Sequence, residues 1–582
     1  MLILSGEKSK PNDLNLAAFA TFLGASVRVL DSPTAAMLLG APESLAAPGA
    51  IAFSADTLAT LYREEQSRET VRKALLNFRT LFLYGITAKA HDELLQWLSD
   101  GSLTAAETVP GAAHGEFPSV GKRFSHQLSG TNYPRVKTLT ACDVLVAKGD
   151  DTTPIITVCA GPTFLCVQVG ACDLFVSTVS EIPDCHQRVA SEDEIELHYD
   201  WLLPTLLFVR AACGNFCWRG GWKAARLIID DPVLRRTYGM LDFSRLFESM
   251  RQHRYATSLA YIPWNHSRTS RGGASFFAQE SDRFSICVHG CDHTGNEYGG
   301  GDANYLEHQS LLAIQRMRRH QERTGLSFEP IMVFPQGRFT TACFRGLRSS
   351  GFLAAVNSTR FPLDRDAAPI SLCELLMPTF DRAYCFPVFH RHYVKSAFPF
   401  LLDLFLGRPA FMVEHHGFFQ NGFPSLEEVA DRLNEAEPDL VWGSLAQSVE
   451  RTCWKRALTQ EKWEVRFFTD TFSLKNNSQQ QLSYRLLKEE ADNESLASLA
   501  VNGRLVPISR HDRCISIETT LLPGESARIQ LQRTKTPPST LVRNGIVYGG
   551  KVLLRRALCE FRDEIVVKYA PKRILRQLEG KA

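Results

Sequence analysis

The chain has no long uncharged apolar run. Its longest candidate, Phe398 to Leu406, is interrupted by Asp403 and falls well short of the roughly 20 residues that cross a bilayer. Charge of one sign is also lacking: 65 Lys+Arg stand against 63 Asp+Glu, a net charge of +2. With no basic repeat interleaved with aromatics either, a nucleic-acid partner is not expected. There is no cysteine framework. The 15 cysteines are odd in number and scattered, a usage that fits reduced thiols and a cytoplasmic protein. The opening Met1-Leu2-Ile3-Leu4-Ser5-Gly6 lacks the basic region and apolar core of a secretory leader. The first strand ends in Ser5-Gly6-Glu7-Lys8-Ser9-Lys10, which is no Gly-rich phosphate loop. A later strand ends in Tyr84-Gly85-Ile86-Thr87, with no nucleophile at the turn, so the N-terminal region is expected to be noncatalytic.

What is present is ample globular sequence. At 582 residues, 44% hydrophobic and 22% charged, the chain predicts several domains. Residues 1–200 read as an α/β domain. Short strands (Leu2 to Leu4, Val27 to Leu30, Ala50 to Phe53, Thr80 to Tyr84) alternate with helices at Leu14 to Leu23, Ala55 to Arg63 and Glu69 to Phe78. Strands at Lys137 to Leu145, Ile155 to Val158, Thr163 to Val169 and Leu174 to Val179 follow, with a turn at Gly149-Asp150-Asp151. An apolar helix, Tyr199 to Ala212, leads to Trp218-Arg219-Gly220-Gly221-Trp222 at the entry to the next domain.

Residues 223–455 alternate again, with strands at Ala225 to Ile229, Ser258 to Ile262, Phe284 to Val288, Ile331 to Phe334, Phe352 to Val356 and Ala410 to Val413. The clearest helix is Tyr305 to Arg323, whose apolar set is Leu306, Leu311, Leu312, Ile314 and Met317. About six parallel strands with chemistry at their C-terminal ends predict an incomplete (β/α) barrel. Residues 460–535 pattern as a β-sandwich with turns at Asn502-Gly503 and Pro523-Gly524. Residues 540–582 pattern as a basic helical tail, with Lys568, Lys572, Arg573, Arg576 and Lys581 near its end.

The chemistry concentrates in the second domain. Arg226-Leu227-Ile228-Ile229 ends in the pair Asp230-Asp231, and adjacent carboxylates at a strand end call for a cation. Phe284 to Val288 ends in His289-Gly290-Cys291-Asp292-His293. One carboxylate and two imidazoles, each from a strand end, make a metal site with open positions. A different reading takes Cys287, His289, Cys291 and His293 as a closed structural zinc set, but the chain offers no paired Cys-x-x-Cys elements for it.

These residues resemble the polysaccharide deacetylase family of metal-dependent carbohydrate deacetylases, from Arg226 to Gly417. The Asp230-Asp231 pair matches the first motif and His289 to His293 the second. Phe334-Pro335-Gln336-Gly337, followed by Gly346 to Phe352, matches the third, and Met412-Val413-Glu414-His415-His416 the last. An α/β domain ahead of such a barrel is also similar, more loosely, to the heparan sulfate N-deacetylases. The resemblance implies that Asp231, His289 and His293 bind a divalent metal, zinc by its donor set. It casts Asp230 as general base and His415 as general acid, in removal of an acetyl group, chiefly N-acetyl, from a glycan or glycan precursor. Pro335, Gly337, Arg338, His390 and Trp264 are the expected substrate-binding residues; Trp222, Arg391 and His392 are further cleft candidates.

Two positions depart from the pattern. Met332, Val333 and Phe334 stand where the family carries an arginine that supports the base, leaving Arg338, Arg226 or Arg235 to substitute. Gln336 replaces the aromatic after the proline. Two other functions are weighed: a glycosidase on a related barrel using Glu297 and Glu414, and a noncatalytic glycan-binding protein. The basic tail is a candidate for peripheral contact with an anionic membrane.

Overall fold

The computed structural model describes residues 1–6, 10–31, 49–63, 68–88, 90–136, 142–148, 151–159, 161–364, 366–380, 385–490, 496–511, 513–533 and 546–566. Two compact units are present. One comprises Met1–Arg219, Pro369–Met377 and Lys455–Gln460; the other comprises Gly220–Ala368, Pro378–Trp454 and Glu461–Ala582.

The first unit is built on a nine-stranded sheet. Leu2–Ser5, Arg28–Asp31, Ala50–Ser54 and Thr80–Tyr84 pair in parallel, as β-rich runs alternating with helices require. Cys172–Ser177 joins Thr80–Tyr84 in parallel, and the hairpin partners Gly161–Val169 and Thr152–Val158 extend the sheet antiparallel. Helices Lys10–Phe22, Ala55–Tyr62, Arg68–Leu76 and Asp92–Leu98 accompany it. Ile51, Phe53, Leu81, Leu83, Leu165 and Leu174 form its buried core. The turn read at Gly149 and Asp150, and the first half of the strand read at Lys137 to Leu145, lie outside the described residues.

The second unit carries an eight-stranded, wholly parallel sheet. Its order is Val388–His390, Ala354–Asn357, Ile331–Val333, Phe284–His289, Thr257–Tyr261, Ala225–Asp230, Ala410–Glu414 and His392–Tyr393. Only Arg391 separates the first and last of these in sequence. The chain therefore steps from one sheet edge to the other at Arg391, and the sheet is a nearly closed barrel. Six of its strands match the apolar runs seen in sequence. The two-to-three-residue edge strands were not foreseen, because they are too short to show a period. The barrel interior is apolar, with Ile228, Ala260, Val333, Val356, Phe389 and Phe411 fully buried. The long helix Ala303–Thr324 starts at Asp302, whose side chain accepts from the Tyr305 N–H, and ends at Gly325 with φ 75°. Leu306, Ile314 and Met317 are buried as expected, while Leu311 and Leu312 are only half-buried.

Two further sheets share one apolar core containing Val465, Phe467, Phe472, Leu486, Ile517 and Ile529. The last described helix, Ile546–Phe561, continues into a wide turn, Arg562–Val566. Of the tail predicted over 540–582, residues 567–582 lie outside the described residues, including Lys568, Lys572, Arg573, Arg576 and Lys581. Among the described residues no helix is long and apolar enough to cross a membrane.

Candidate metal centre

The strand Ala225–Asp230 is buried at every position and delivers its terminal carboxylates to the C-terminal mouth of the barrel. Asp231 turns off the strand with φ 68°, a left-handed conformation that aspartate tolerates better than most residues. His289 is the last residue of its own strand. Gly290 follows at φ 61°, where a Cβ would stand 2.4 Å from both Glu297 Oε2 and Pro335 Cγ, so only glycine fits. His293 closes this loop at φ 56°. The buried Glu297 carboxylate accepts from the backbone N–H groups of Cys291 (3.1 Å), Asp292 (2.7 Å) and His293 (3.2 Å), which pins the loop. Burial pushes Glu297 up to about 7, against the pull of those three N–H groups.

The three side chains converge. Asp231 Oδ1 lies 3.4 Å from His289 Nε2 and 3.1 Å from His293 Nε2. Bonds of about 2.1 Å from one ion, meeting at about 90–109°, place two ligand atoms roughly 3.0–3.4 Å apart, so this spacing fits a divalent cation. His289 donates from Nδ1 to the Val333 carbonyl (3.0 Å), which leaves Nε2 aimed at Asp231. Asp231 Oδ1 is buried with no hydrogen-bond partner among the described residues, as expected of an atom that would ligate a cation. Burial acts to raise Asp231, but His293 and His289 outweigh it and hold the carboxyl well below its usual range. Burial also pushes His293 down to about 4, with His289, Arg556 and Arg555 acting the same way and Asp231 opposing. A neighbouring set, Cys291, Asp292 and Glu297, is also close enough to hold an ion. It is already committed: Asp292 pairs with Arg316 and accepts from Tyr548 Oη, and Glu297 holds the loop.

Asp230 faces the same mouth. Arg391 grips it with two parallel hydrogen bonds, Nη1 to Oδ1 at 2.8 Å and Nη2 to Oδ2 at 2.6 Å, with both side chains buried. Burial alone would raise Asp230, yet Arg391 and His289 hold it below the ordinary carboxylate value. This corrects the expected substitute arginine. Arg226 is spent below the mouth on Ser258 Oγ, Thr257 O and Ser285 Oγ, and Arg235 pairs with Glu560. Arg338 is exposed, and its side chain makes no hydrogen bond or ion pair among the described residues. The only sequence hint for Arg391 is the short run Phe386-Pro387-Val388-Phe389 ahead of His390-Arg391-His392, too short to mark a strand by its period.

His415 and His416 point to different sides where the extended backbone at His415 (φ −108°, ψ 165°) gives way to the short helix His416–Asn421. His415 Nε2 is 4.0 Å from Asp230 Oδ2, its side chain is 45% exposed, and its ring lies nearly parallel to Tyr393 at 6.4 Å. His416 is buried on the other side, 3.4 Å from Asp563 and edge-on to Tyr238.

The remaining expected residues scatter. Pro335 is buried, and Gly337, at φ 67°, offers its carbonyl to Asn357 at 2.9 Å in the turn after the strand Ile331–Val333. His390 is buried, with Nε2 at 3.0 Å from the Ser358 carbonyl and its ring 4.2 Å from His392, so it supports the seam and does not line an open cleft. Trp264 is half-buried with the Arg316 guanidinium 5.1 Å from its ring, and Trp222 is covered in the same way by Arg451. Neither ring is presented to a sugar on the covered face. Cys287 sits in the apolar core, outside both candidate ion sets, which removes the closed zinc reading. Glu414 is buried and accepts from the Val394 N–H at 2.9 Å; burial pushes it up to about 7. With Glu297 committed to its loop, the carboxylate pair of a glycosidase is not assembled.

No family model matches the chain, and no curated protein matches it. Solved structures do. A family 4 carbohydrate esterase from Streptomyces lividans, in complex with acetate, is 11% identical, with 39% of this chain and 94% of that one covered and a TM-score of 0.24. A family 4 pseudoenzyme from Bacillus anthracis is 11% identical over 40% of this chain and 66% of that one, at a TM-score of 0.25. The family 4 esterase domain of a multidomain xylanase from the hindgut metagenome of Trinervitermes trinervoides is 10% identical over 38% and 87%, at 0.23. Likeness at this level carries no functional weight, which rests instead on the side chains at the barrel mouth.

Proposed function

We propose that this protein is a metal-dependent hydrolase that removes acetyl groups, N-acetyl in the first place, from a carbohydrate or glycan precursor. The observation that carries the reading is the convergence, at one end of the barrel, of Asp231, His289 and His293 with the Arg391-gripped Asp230 and the half-buried His415. The three-residue set would hold a divalent ion, zinc by its nitrogen and oxygen donors. Such an ion supplies Lewis acidity, polarising an amide carbonyl and bringing the pKa of water to about 7. Asp230 takes the proton of the attacking water. Arg391 keeps it ionised and correctly turned, at some cost in basicity. His415, partly exposed beside Asp230, gives a proton to the departing amine, which is too poor a leaving group to depart as an anion. Metal-loaded full-length protein should release acetate from an N-acetylated sugar panel without releasing reducing ends. Reducing sugar would support the glycosidase, and neither product the noncatalytic alternative.

The two histidines give a sharp test. His415→Ala should lower turnover by roughly 10²–10⁴-fold with metal content unchanged, the usual worth of a positioned acid. His416→Ala should keep turnover and lose thermal stability, because it removes a partner of buried Asp563. The reverse pattern would mean that the acid is His416.

A second feature favours contact with an anionic membrane near the site. Along the helix Ile546–Phe561 and its following turn, Val547, Leu554, Leu558, Phe561 and Ile565 are all exposed. That spacing makes an outward apolar stripe, and the chain beyond it carries Lys568, Lys572, Arg573, Arg576 and Lys581. Each basic residue near an anionic surface contributes about 1 kcal/mol. Full-length protein should sediment with phosphatidylserine vesicles, and a Leu554→Ser/Leu558→Ser variant should remain in the supernatant. Equal sedimentation of both would assign the stripe another use.

A further inference from the structure

The helix Ile546–Phe561 lies against the metal-site loop. Tyr548 Oη donates to Asp292 Oδ2 at 2.9 Å, and Arg555 Nε donates to the His293 carbonyl at 3.2 Å. Further along, Asp563 accepts from Tyr238 Oη at 2.8 Å and stands 3.4 Å from His416 Nε2. Arg556 is bracketed by these contacts. It follows the fully buried Val552 by one turn and precedes Asp563 by two, so it shares their inward face. Its exposure is 5%. It therefore sits between the loop that carries His293 and the pair Tyr238 and His416.

The charges of this face can be matched one by one. Arg235 and Arg268 share Glu560, at 3.3 and 2.5 Å. Arg316 pairs with Asp292, Arg391 with Asp230, and Arg562 with Asp563. Arg555 and Arg556 have no carboxylate within ion-pair distance among the described residues, and Arg556 Nε is buried with no hydrogen bond. A guanidinium withdrawn from water without a counter-anion is costly. A divalent cation at Asp231 would add to the positive excess. A planar, fixed set of donors is what a carboxylate or phosphate requires for recognition.

We propose that Arg556, with Arg555 beside it, forms an anion subsite that holds a carboxylate or phosphate of the substrate close to the acetyl group being removed. The substrate class is then an acidic N-acetylated glycan, with the negative group either a uronate on a neighbouring ring or a phosphate on the sugar itself. This inference rests on the deacetylase reading.

Binding and turnover separate the two. Calorimetry on metal-loaded Asp230→Asn protein would compare three probes: a neutral N-acetylglucosamine oligomer, an oligomer alternating N-acetylglucosamine with glucuronate, and N-acetylglucosamine 1-phosphate. One acidic probe should bind about 10–100-fold tighter than the neutral oligomer, the worth of hydrogen bonds to a charged group, and which one identifies the anion. Adding Arg556→Gln should remove that preference and leave the neutral oligomer's affinity unchanged. Arg556→Lys, which keeps the charge for folding, should retain part of it, and circular dichroism with thermal melts would verify both folds. Equal binding of all three probes, or a preference that survives in folded Arg556→Gln, would overturn the subsite. Acidic-probe binding that depends on Arg556, in a wild-type protein that releases no acetate from any probe, would uphold the subsite and sink the deacetylase reading.

Discussion

His289→Ala and His293→Ala are each expected to strip the divalent metal and abolish turnover. The site offers three protein donors, and Asp231 Oδ1 is shared between the two imidazoles at 3.4 and 3.1 Å. Removing either ring leaves two donors on a mouth open to water, and affinity falls steeply. A readout independent of catalysis exists. A ligand that binds only the folded protein stabilises it by about 4 kcal/mol at a thousandfold excess over its dissociation constant. A chelator should therefore lower the melting temperature of the wild type and leave that of either variant unmoved. Elemental analysis should find about one divalent ion in the wild type and none in the variants. Glu297→Ala should give a milder version, a loss of roughly 10–100-fold in metal affinity, since that carboxylate binds no ion but holds the loop carrying His293. Unchanged metal in both histidine variants would remove them from the site.

The candidate ligand set was legible because Asp231 and His289 follow apolar runs long enough to see, with His293 four residues further on. Ile228-Ile229 announces Asp230 and Asp231, and Ile286 to Val288 announces His289. The left-handed turns at Asp231, Gly290 and His293 bring those ends together, and no periodicity reveals them. Arg391 was illegible in its role for a topological reason. Its flanking strands, Val388–His390 and His392–Tyr393, are too short to carry a pattern, and only the order of the sheet shows that they are opposite edges of one barrel. Local spacing directed attention to the turn after Phe334, where Arg338 proves to be exposed. The tail was legible as a helix, but not which of its residues face inward. Val552 packs inward, while Leu553, Leu554 and Leu558 are exposed, because buried Arg556 and Asp563 occupy the inner face. A polar residue that packs inward at a functional mouth defeats a pattern built on burying apolar groups.

Arg391→Ala should be the most damaging single change to both stability and turnover outside the metal ligands. Both side chains of the pair are almost fully buried, at 2% and 3% exposure, so solvent offers no screening. Truncating one member leaves Asp230 as an uncompensated buried charge, a loss of roughly 3–5 kcal/mol. Activity should fall with it, because Asp230 loses the grip that keeps it ionised and pointed at the water. Asp230→Asn should lose a similar roughly 10²–10⁴-fold in turnover while keeping its metal, since it removes the base and leaves the three donors in place. Arg391→Lys separates charge from geometry. It retains a cation beside Asp230 but replaces a two-pronged contact by a single point, so it should recover much of the stability and little of the rate. The pair Asp230→Asn/Arg391→Met should melt above Arg391→Ala although it is inactive, because no buried carboxylate is left unpaired. Urea denaturation of the four proteins measures the stability half, and acetate release per bound metal the catalytic half. An Arg391→Ala protein with wild-type values in both would show that Asp230 needs no arginine, and the seam of the barrel would then be only a closure.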